Sequence, residues 1–363
     1  LCEYGTLLYA GLTWGRVMAY DGNAWTQVNE EAFGDPDNID VSALAAYNGA
    51  LYAGTTNAAG GAEVWRYDGS AWTRVADGGF GNPENANVNS MASYGGHLYA
   101  GTSNVDEGLE VWRYDGNAWE KVAEAGFSDP DNVVASSMAV FGGALFVGTF
   151  NQGGGGCEAW RYDGTDWEQS GEDGFGDFWN MSLNSLAEYN GHLYAGIARN
   201  AGGTGTHGGY SLYRFDGTAW SEFKKDTTAT GGANCMAVLG GYLYVDVYDS
   251  GSGCRLWRSD GADEWTLAAL YGYGSYTNID ASSLIAWGGR LYAGTVNPFY
   301  GTQVWTSACA GDPPFADWTQ VNVDGFSSNH NVAVSSLCSY GGRLVAGTWN
   351  AEGCEAWRLD GAS

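Results

Sequence analysis

Lysine is nearly missing from this chain: Lys121, Lys224 and Lys225 are the only ones among 363 residues. With 15 basic against 42 acidic side chains the formal charge is −27. That balance argues against a nucleic-acid surface, which needs a basic stripe to follow the phosphates. It also argues against docking on anionic lipid. No apolar run approaches the ~20 residues a membrane helix requires, so no membrane insertion is expected. The cysteines form no Cys-x-x-Cys pair, which removes the usual zinc and redox motifs. The histidines, His97, His192, His207 and His330, are scattered, and no Gly-x-Ser-x-Gly elbow, phosphate-binding loop or His-Glu-x-x-His pair occurs. Helical periodicity is absent over any length that would sustain a helix. An enzyme is therefore not expected, and no catalytic residue is assigned.

What the chain has in abundance is glycine (58), tryptophan (17) and tyrosine (23), arranged in a repeat. The motif Leu-Tyr-Ala-Gly-Thr begins at Leu51, Leu98 and Leu291, with variants at Leu8, Leu145, Leu193, Leu243 and Leu344. Successive copies lie 43, 47, 47, 48, 50, 48 and 53 residues apart. Each period reads as four short strands. A strand such as 90–94 ends at Gly95-Gly96, a hairpin dipeptide, and Leu98–Thr102 follows at once. A Gly-rich loop leads to a third strand at 110–114. Asp115-Gly116 then turns the chain into a fourth strand around Trp119. A four-stranded unit of this length is a β-propeller blade. Eight copies predict an all-β, eight-bladed propeller of four-stranded antiparallel blades, a single domain over residues 1–363. We label the strands of each blade A to D, from the central channel outward.

The repeated strand and the Tyr-Asp-Gly-x-x-Trp turn, as at Tyr67-Asp68-Gly69-Ser70-Ala71-Trp72, resemble those of the kelch, Asp-box and tachylectin-like propellers along the whole chain. The match departs from a sialidase Asp-box, in which Asp and Gly are not adjacent, and a Gly-His…Trp-Asp signature of WD40 repeats is missing. The resemblance implies a binding scaffold and transfers no catalytic residue.

Blade eight carries strands A to C, reaches the turn Asp360-Gly361 and shows no fourth strand before Ser363. An unpaired outer edge is a template for another chain's strand. The leading expectation is thus a secreted structural or interaction module that self-associates, into rings or filaments, through Cys354, Glu355, Ala356, Trp357, Arg358 and Leu359. The opening at Leu1 without Met suggests a removed leader or a trimmed chain, and together with the acidic composition an extracellular or cell-surface location is expected. Cys2 and Cys338 hold the same strand A position in blades one and eight, so a disulfide between them would fasten the ends of a closed ring.

Two further sets of residues suggest ligands. Asp35, Asp37 and Asn38, and again Asp129, Asp131 and Asn132, stand in the loops between blades, where oxygen-rich side chains could hold calcium or simply form turns. Asn recurs six residues before the apolar residue of strand A, as from Asn85 to Met91. The repeat itself is broken in blades five and six. His207 lies in an enlarged loop, Asp246 replaces a glycine, Tyr248 and Asp249 follow, and Tyr271, Tyr273 and Tyr276 replace the usual Gly-Phe-Gly-Asp pattern. Aromatic faces beside carboxylates suit carbohydrate, making a lectin the alternative function and a glycoside hydrolase the third.

Overall fold

The computed structural model describes residues 1–199, 208–228, 230–262, 264–269, 271–350 and 353–359. The chain divides into two compact units, Leu1–Phe178 and Trp179–Ser363. The first holds four antiparallel blades of four strands each, every strand hydrogen-bonded to its neighbour in chain order. Blade three is representative: Asn87–Tyr94, His97–Ser103, Val111–Tyr114 and Trp119–Lys121. The second unit holds three further four-stranded blades and a last sheet of three described strands, Asn331–Tyr340, Arg343–Asn350 and Ala356–Leu359. No described helix is long and apolar enough to cross a membrane.

The hairpin predicted at Gly95-Gly96 forms, with both glycines in the left-handed region at φ 56 and 80 and Tyr94 paired with His97. The Asp-Gly turn is longer than expected: Tyr114 pairs with Trp119, leaving four residues in the loop. The reason is the aspartate itself. Asp115 Oδ1 accepts from the N–H groups of Asn117 (2.7 Å) and Ala118 (2.9 Å), which folds the loop around the side chain. The same two bonds, joined by a hydroxyl, hold the carboxyls of Asp68 and Asp163 down to about 2.

Strand B is the buried layer of each blade. Leu98, Tyr99 and Ala100 are all but inaccessible, and so are their counterparts Leu51, Tyr52 and Ala53. The glycine that follows is required by the approach of the next blade: a Cβ on Gly54 would lie 2.6 Å from Val88 Cβ. Polar bonds join neighbouring blades within a unit. Tyr47 donates to Gly96 O (2.7 Å) and Tyr94 to Gly143 O (2.8 Å), while Ser90 Oγ donates to Ala135 O (2.9 Å). A tyrosine at the end of strand A thus reaches the hairpin of the following blade, which explains its recurrence.

The loops between blades contain a turn that sequence reasoning did not foresee. Gly79 and Phe80 are consecutive left-handed residues (φ 61 and 63), and the pattern recurs at Ala32-Phe33, Gly126-Phe127, Gly174-Phe175 and Gly325-Phe326. A phenylalanine resists this conformation. It is held there because its ring stacks on a tryptophan of strand C: Phe80 on Trp112 at 5.0 Å, Phe127 on Trp160 at 4.5 Å and Phe33 on Trp65 at 4.7 Å.

Candidate binding site

The regularly spaced asparagines do structural work. Asn85 is fully buried, and its Nδ2 donates to Gly79 O (2.8 Å), in the left-handed turn, and to Glu110 Oε2 (2.6 Å). Its Oδ1 accepts from Thr102 (3.1 Å) and Asn104 (3.2 Å). Glu110 in turn accepts from Trp112 Nε1 (2.9 Å) and pairs with Lys121 (3.1 Å). One amide therefore links the loop, strand B and strand C of a blade. Asn38 makes the same contacts with Ala32, Glu63, Thr55 and Asn57, and Asn132 with Gly126, Thr149 and Asn151. The network repeats around Asn278 and Asn331 in the second unit. In blade seven Gln303 replaces the glutamate and still accepts from Asn278 and Trp305, so the acceptor matters more than the charge.

The residues proposed to hold calcium belong to this scheme. Asp35 Oδ1 accepts from Asp37 N (3.0 Å), and Asp129 Oδ1 from Asp131 N (3.0 Å). The second oxygens, Asp35 Oδ2 and Asp129 Oδ2, accept from Asn57 and Asn151. Among the described residues no group of three or more His, Cys, Asp or Glu side chains is placed to hold a metal ion. Cys157 and Cys254 are buried thiols at the start of strand C, in the slot that Ala62 and Leu109 fill elsewhere. Cys2 and Cys338 belong to different units.

Blade six departs from the scheme chemically. Asp246, which stands where the other blades carry glycine, is completely buried. Its Oδ2 accepts from Tyr273 OH (2.6 Å) and its Oδ1 from Ala281 N (2.9 Å). Tyr273 occupies the position of Phe80 and Phe127 in the left-handed turn (φ 63), so the glycine-to-aspartate and phenylalanine-to-tyrosine changes satisfy each other. Cys235, Cys254 and Asp280 complete the cluster. Burial first, then the charge of Asp280, raises the Asp246 carboxyl well above the usual range, against the bonds from Tyr273, Ala281 and Cys254. Burial pushes Asp280 up to about 6, opposed by its bond from Asn234 Nδ2 (2.9 Å). Asp280 Oδ1 is buried without a hydrogen-bond partner.

Tyr273 is also the link from this cluster to the surface. With Tyr271, Gly274, Tyr276, Pro314, Phe315, Ala316 and Trp318 it lines a depression of about 670 Å³. Tyr271 is 56% exposed and Tyr276 73%. Tyr273 and Trp318 meet edge to face at 4.7 Å, and Trp318 Nε1 donates to Ala268 O. The first unit has a smaller version of this notch, about 350 Å³, lined by Phe127, Trp160 and Trp167 together with Lys121 and Glu124. The enlargement comes from a long connection between strands C and D of blade seven, from Ser307 to Thr319. Within it, Phe315 N donates to Ala268 O (3.0 Å) and the Phe315 ring enters the core beside Tyr244 and Leu256.

Of the ligand-binding residues expected from the sequence, Tyr271, Tyr273 and Tyr276 are brought together, with Asp246 behind them as a buried partner. Tyr248 and Asp249 are not among the lining residues. Asp249 instead accepts from Arg255 (3.0 Å) and caps Gly251 and Ser252. His207 lies outside the described residues. Phe315 and Trp318 were missed, although the signal existed: the interval from Leu291 to Leu344 is the longest of the repeat, at 53 residues.

The repeated four-stranded antiparallel sheets place the chain in the β-propeller class. The chain matches no protein-family model and no curated protein sequence. Its fold is shared with solved structures at low identity. The computationally designed Ika8 protein matches at a TM-score of 0.63 and 13% identity, over 99% of this chain and 95% of that one. Sqt1 from Chaetomium thermophilum matches at 0.65 and 12%, over 98% and 94%. The WD40 repeats of RRP9 match at 0.52 and 12%, over 88% and 94%. These likenesses concern the fold alone. The likeness to the RRP9 WD40 repeats in fold exists although this chain lacks the Gly-His…Trp-Asp signature.

Proposed function

We propose that this chain is a non-enzymatic interaction module that recognises a partner protein through the aromatic depression of its second unit. The observation that carries this reading is the exposure of Tyr271 and Tyr276 at the mouth of a cavity walled by Tyr273, Phe315 and Trp318. Large aromatics left in solvent beside a concave wall are characteristic of binding surfaces. Shape agrees with that use, since one fold neighbour comes from a Mitotic Checkpoint Complex. The raised carboxyls of Asp246 and Asp280 are buried, so they do not offer an acid–base pair to a substrate. An extracellular or cell-surface setting, favoured by the acidic composition, and kinship with kelch or tachylectin-like propellers remain parts of the proposal. Affinity capture from an extract of the source organism tests it. Wild type immobilised beside Tyr271→Ser/Tyr276→Ser is expected to retain proteins that the double variant loses; identical capture by the two would refute the site.

Self-association is a second reading, supported by two exposed tryptophans on the last blade. Trp349 is 49% exposed and Trp357 37%, and Trp357 stacks on Phe326 at 5.0 Å on its other side. Of the edge residues named from sequence, Glu355 is committed to Asn331 and Trp357, and Leu359 is buried in the core. Trp357 and its outward neighbours would carry the contact. Sedimentation velocity should show an assembly that Trp349→Ser/Trp357→Ser abolishes; a monomer at every concentration would end this reading.

A further inference from the structure

We propose that the depression takes an extended, basic, proline-rich segment of the partner; this inference rests on the interaction reading above and names its ligand. Three observations select that chemistry. The wall is aromatic and prolyl: Tyr271, Tyr276, Trp318 and Pro314 contribute faces on which pyrrolidine rings pack, while the Phe315 ring is buried in the core and anchors the wall.

The polar equipment is sparse. Among the described residues no carboxylate or side-chain amide lines the cavity, Tyr273 OH is committed to Asp246, and Trp318 Nε1 to Ala268 O. A sugar, with hydroxyls on every edge, would be left largely unpaired there. A polyproline II strand has no internal hydrogen bonds and few donors, so aromatic faces and an occasional hydroxyl from Tyr271 or Tyr276 suffice.

The third observation is charge. The chain carries −27, and the connection that builds the wall places two acidic residues, Asp312 and Asp317, both exposed, in the sequence flanking Pro314–Ala316. Such a field draws a cationic ligand and repels an acidic one. Arginine side chains flanking the prolines would also meet the exposed tyrosine rings face on. The unit already contains such stacks, with Arg258 over Tyr242 at 4.2 Å and over Phe315 at 5.3 Å.

Fluorescence anisotropy with labelled synthetic peptides of about twelve residues, long enough to span the cavity at ~3.1 Å per residue, provides the test. The probes are an Arg-Pro-Pro repeat, the same peptide with Ala for Pro, and the same with Glu for Arg. Labelled chitohexaose serves as the sugar arm. Wild type is expected to bind the Arg-Pro-Pro repeat, at least tenfold more weakly after either replacement. Tyr271→Ser/Tyr276→Ser should weaken it at least tenfold, whereas Val105→Ser, an exposed change in the other unit, should not. Hydroxyl-radical footprinting of wild type should show Tyr271 and Tyr276 protected by the peptide, a readout independent of any variant. Absence of binding at millimolar peptide, equal binding by the double variant, or unprotected tyrosines would overturn the inference. Binding of chitohexaose in place of peptide would overturn the ligand class. Failure here with selective capture in the extract experiment condemns the peptide; failure of both condemns the site.

Discussion

Asn85→Ala is expected to be among the most damaging single changes in this protein, lowering stability by roughly 3–5 kcal/mol. Four hydrogen bonds converge on this fully buried amide, from or to Gly79, Glu110, Thr102 and Asn104. Alanine keeps none of them. The larger part of the loss is what it leaves behind: the Gly79 carbonyl and the Asn104 amide lose a buried partner, while Glu110 Oε2 keeps Trp112 Nε1 and the Thr102 hydroxyl keeps Glu110 O. Releasing Gly79 O also loosens the left-handed turn that presents Phe80 to Trp112. For a unit of this size the melting temperature should fall by roughly 10 °C. Val105→Ser, a change at an exposed side chain of the same unit, is the control and should move it by no more than a degree or two. Thermal denaturation followed by circular dichroism measures both; a loss below about 1 kcal/mol for Asn85→Ala would show that the network is dispensable.

The second expected result concerns pH. Asp280 titrates near 6 in the folded protein against an ordinary value of 3.8, and Asp246 well above it. Among the described residues the groups facing them are Asn234, Cys235, Cys254, Tyr273 and Ala281 N–H, none of them a cation. Between these values the folded state binds protons that the unfolded chain has released. Stability is therefore full below about pH 4 as far as these two groups are concerned. It declines as pH rises through 6 and beyond. Neutral pH is therefore the less stable side for this pair, because both carboxyls must give up protons that burial favours keeping. Asp280→Asn, whose side-chain oxygen can still accept from Asn234, should flatten the decline and raise the melting temperature at pH 8 by roughly 5 °C. Its advantage should vanish near pH 4. Melting curves from pH 4 to 8 decide the matter: a variant no more stable than wild type at pH 8 would mean that the carboxylate is not under strain. General repulsion at −27 acts in the same direction, but a single substitution scarcely alters it.

These two results touch the same design from opposite sides. In most blades, buried polarity is closed on itself: Asn85 is satisfied by Gly79, Glu110, Thr102 and Asn104, and Glu110 by Asn85, Trp112 and Lys121. In blade six the asparagine position is Thr230, the glutamate position is Arg255, and a carboxylate has entered the strand B glycine site. The polar cluster there is shifted toward blade seven and ends on Tyr273, the residue that also forms the wall of the depression. A bound segment pressing on Tyr271 and Tyr276 would lie one side chain from Asp246.

Local rules of the chain account for the repeat, the strand order within each blade and the hairpins. Alternation, Gly-Gly at the first turn and Asp-Gly at the outer one act over a few residues, and the period counts the copies. The tyrosines 271, 273 and 276 were also legible, because a departure from the five loops that carry Phe33, Phe80, Phe127, Phe175 and Phe326 is visible without coordinates. Long-range packing decided the rest. Asn85 and Glu110 are 25 residues apart, and nothing local distinguishes an amide that caps its own turn from one buried between strands. The left-handed phenylalanine depends on a tryptophan some thirty residues later in the chain, so its conformation follows from stacking rather than from propensity. Phe315 and Trp318 join Tyr271 and Tyr276 only because an insertion between two strands of blade seven folds back onto the loop that precedes the blade. Sequence spacing announced the insertion; where it lands is settled by burial of the Phe315 ring, which only the assembled core can reward.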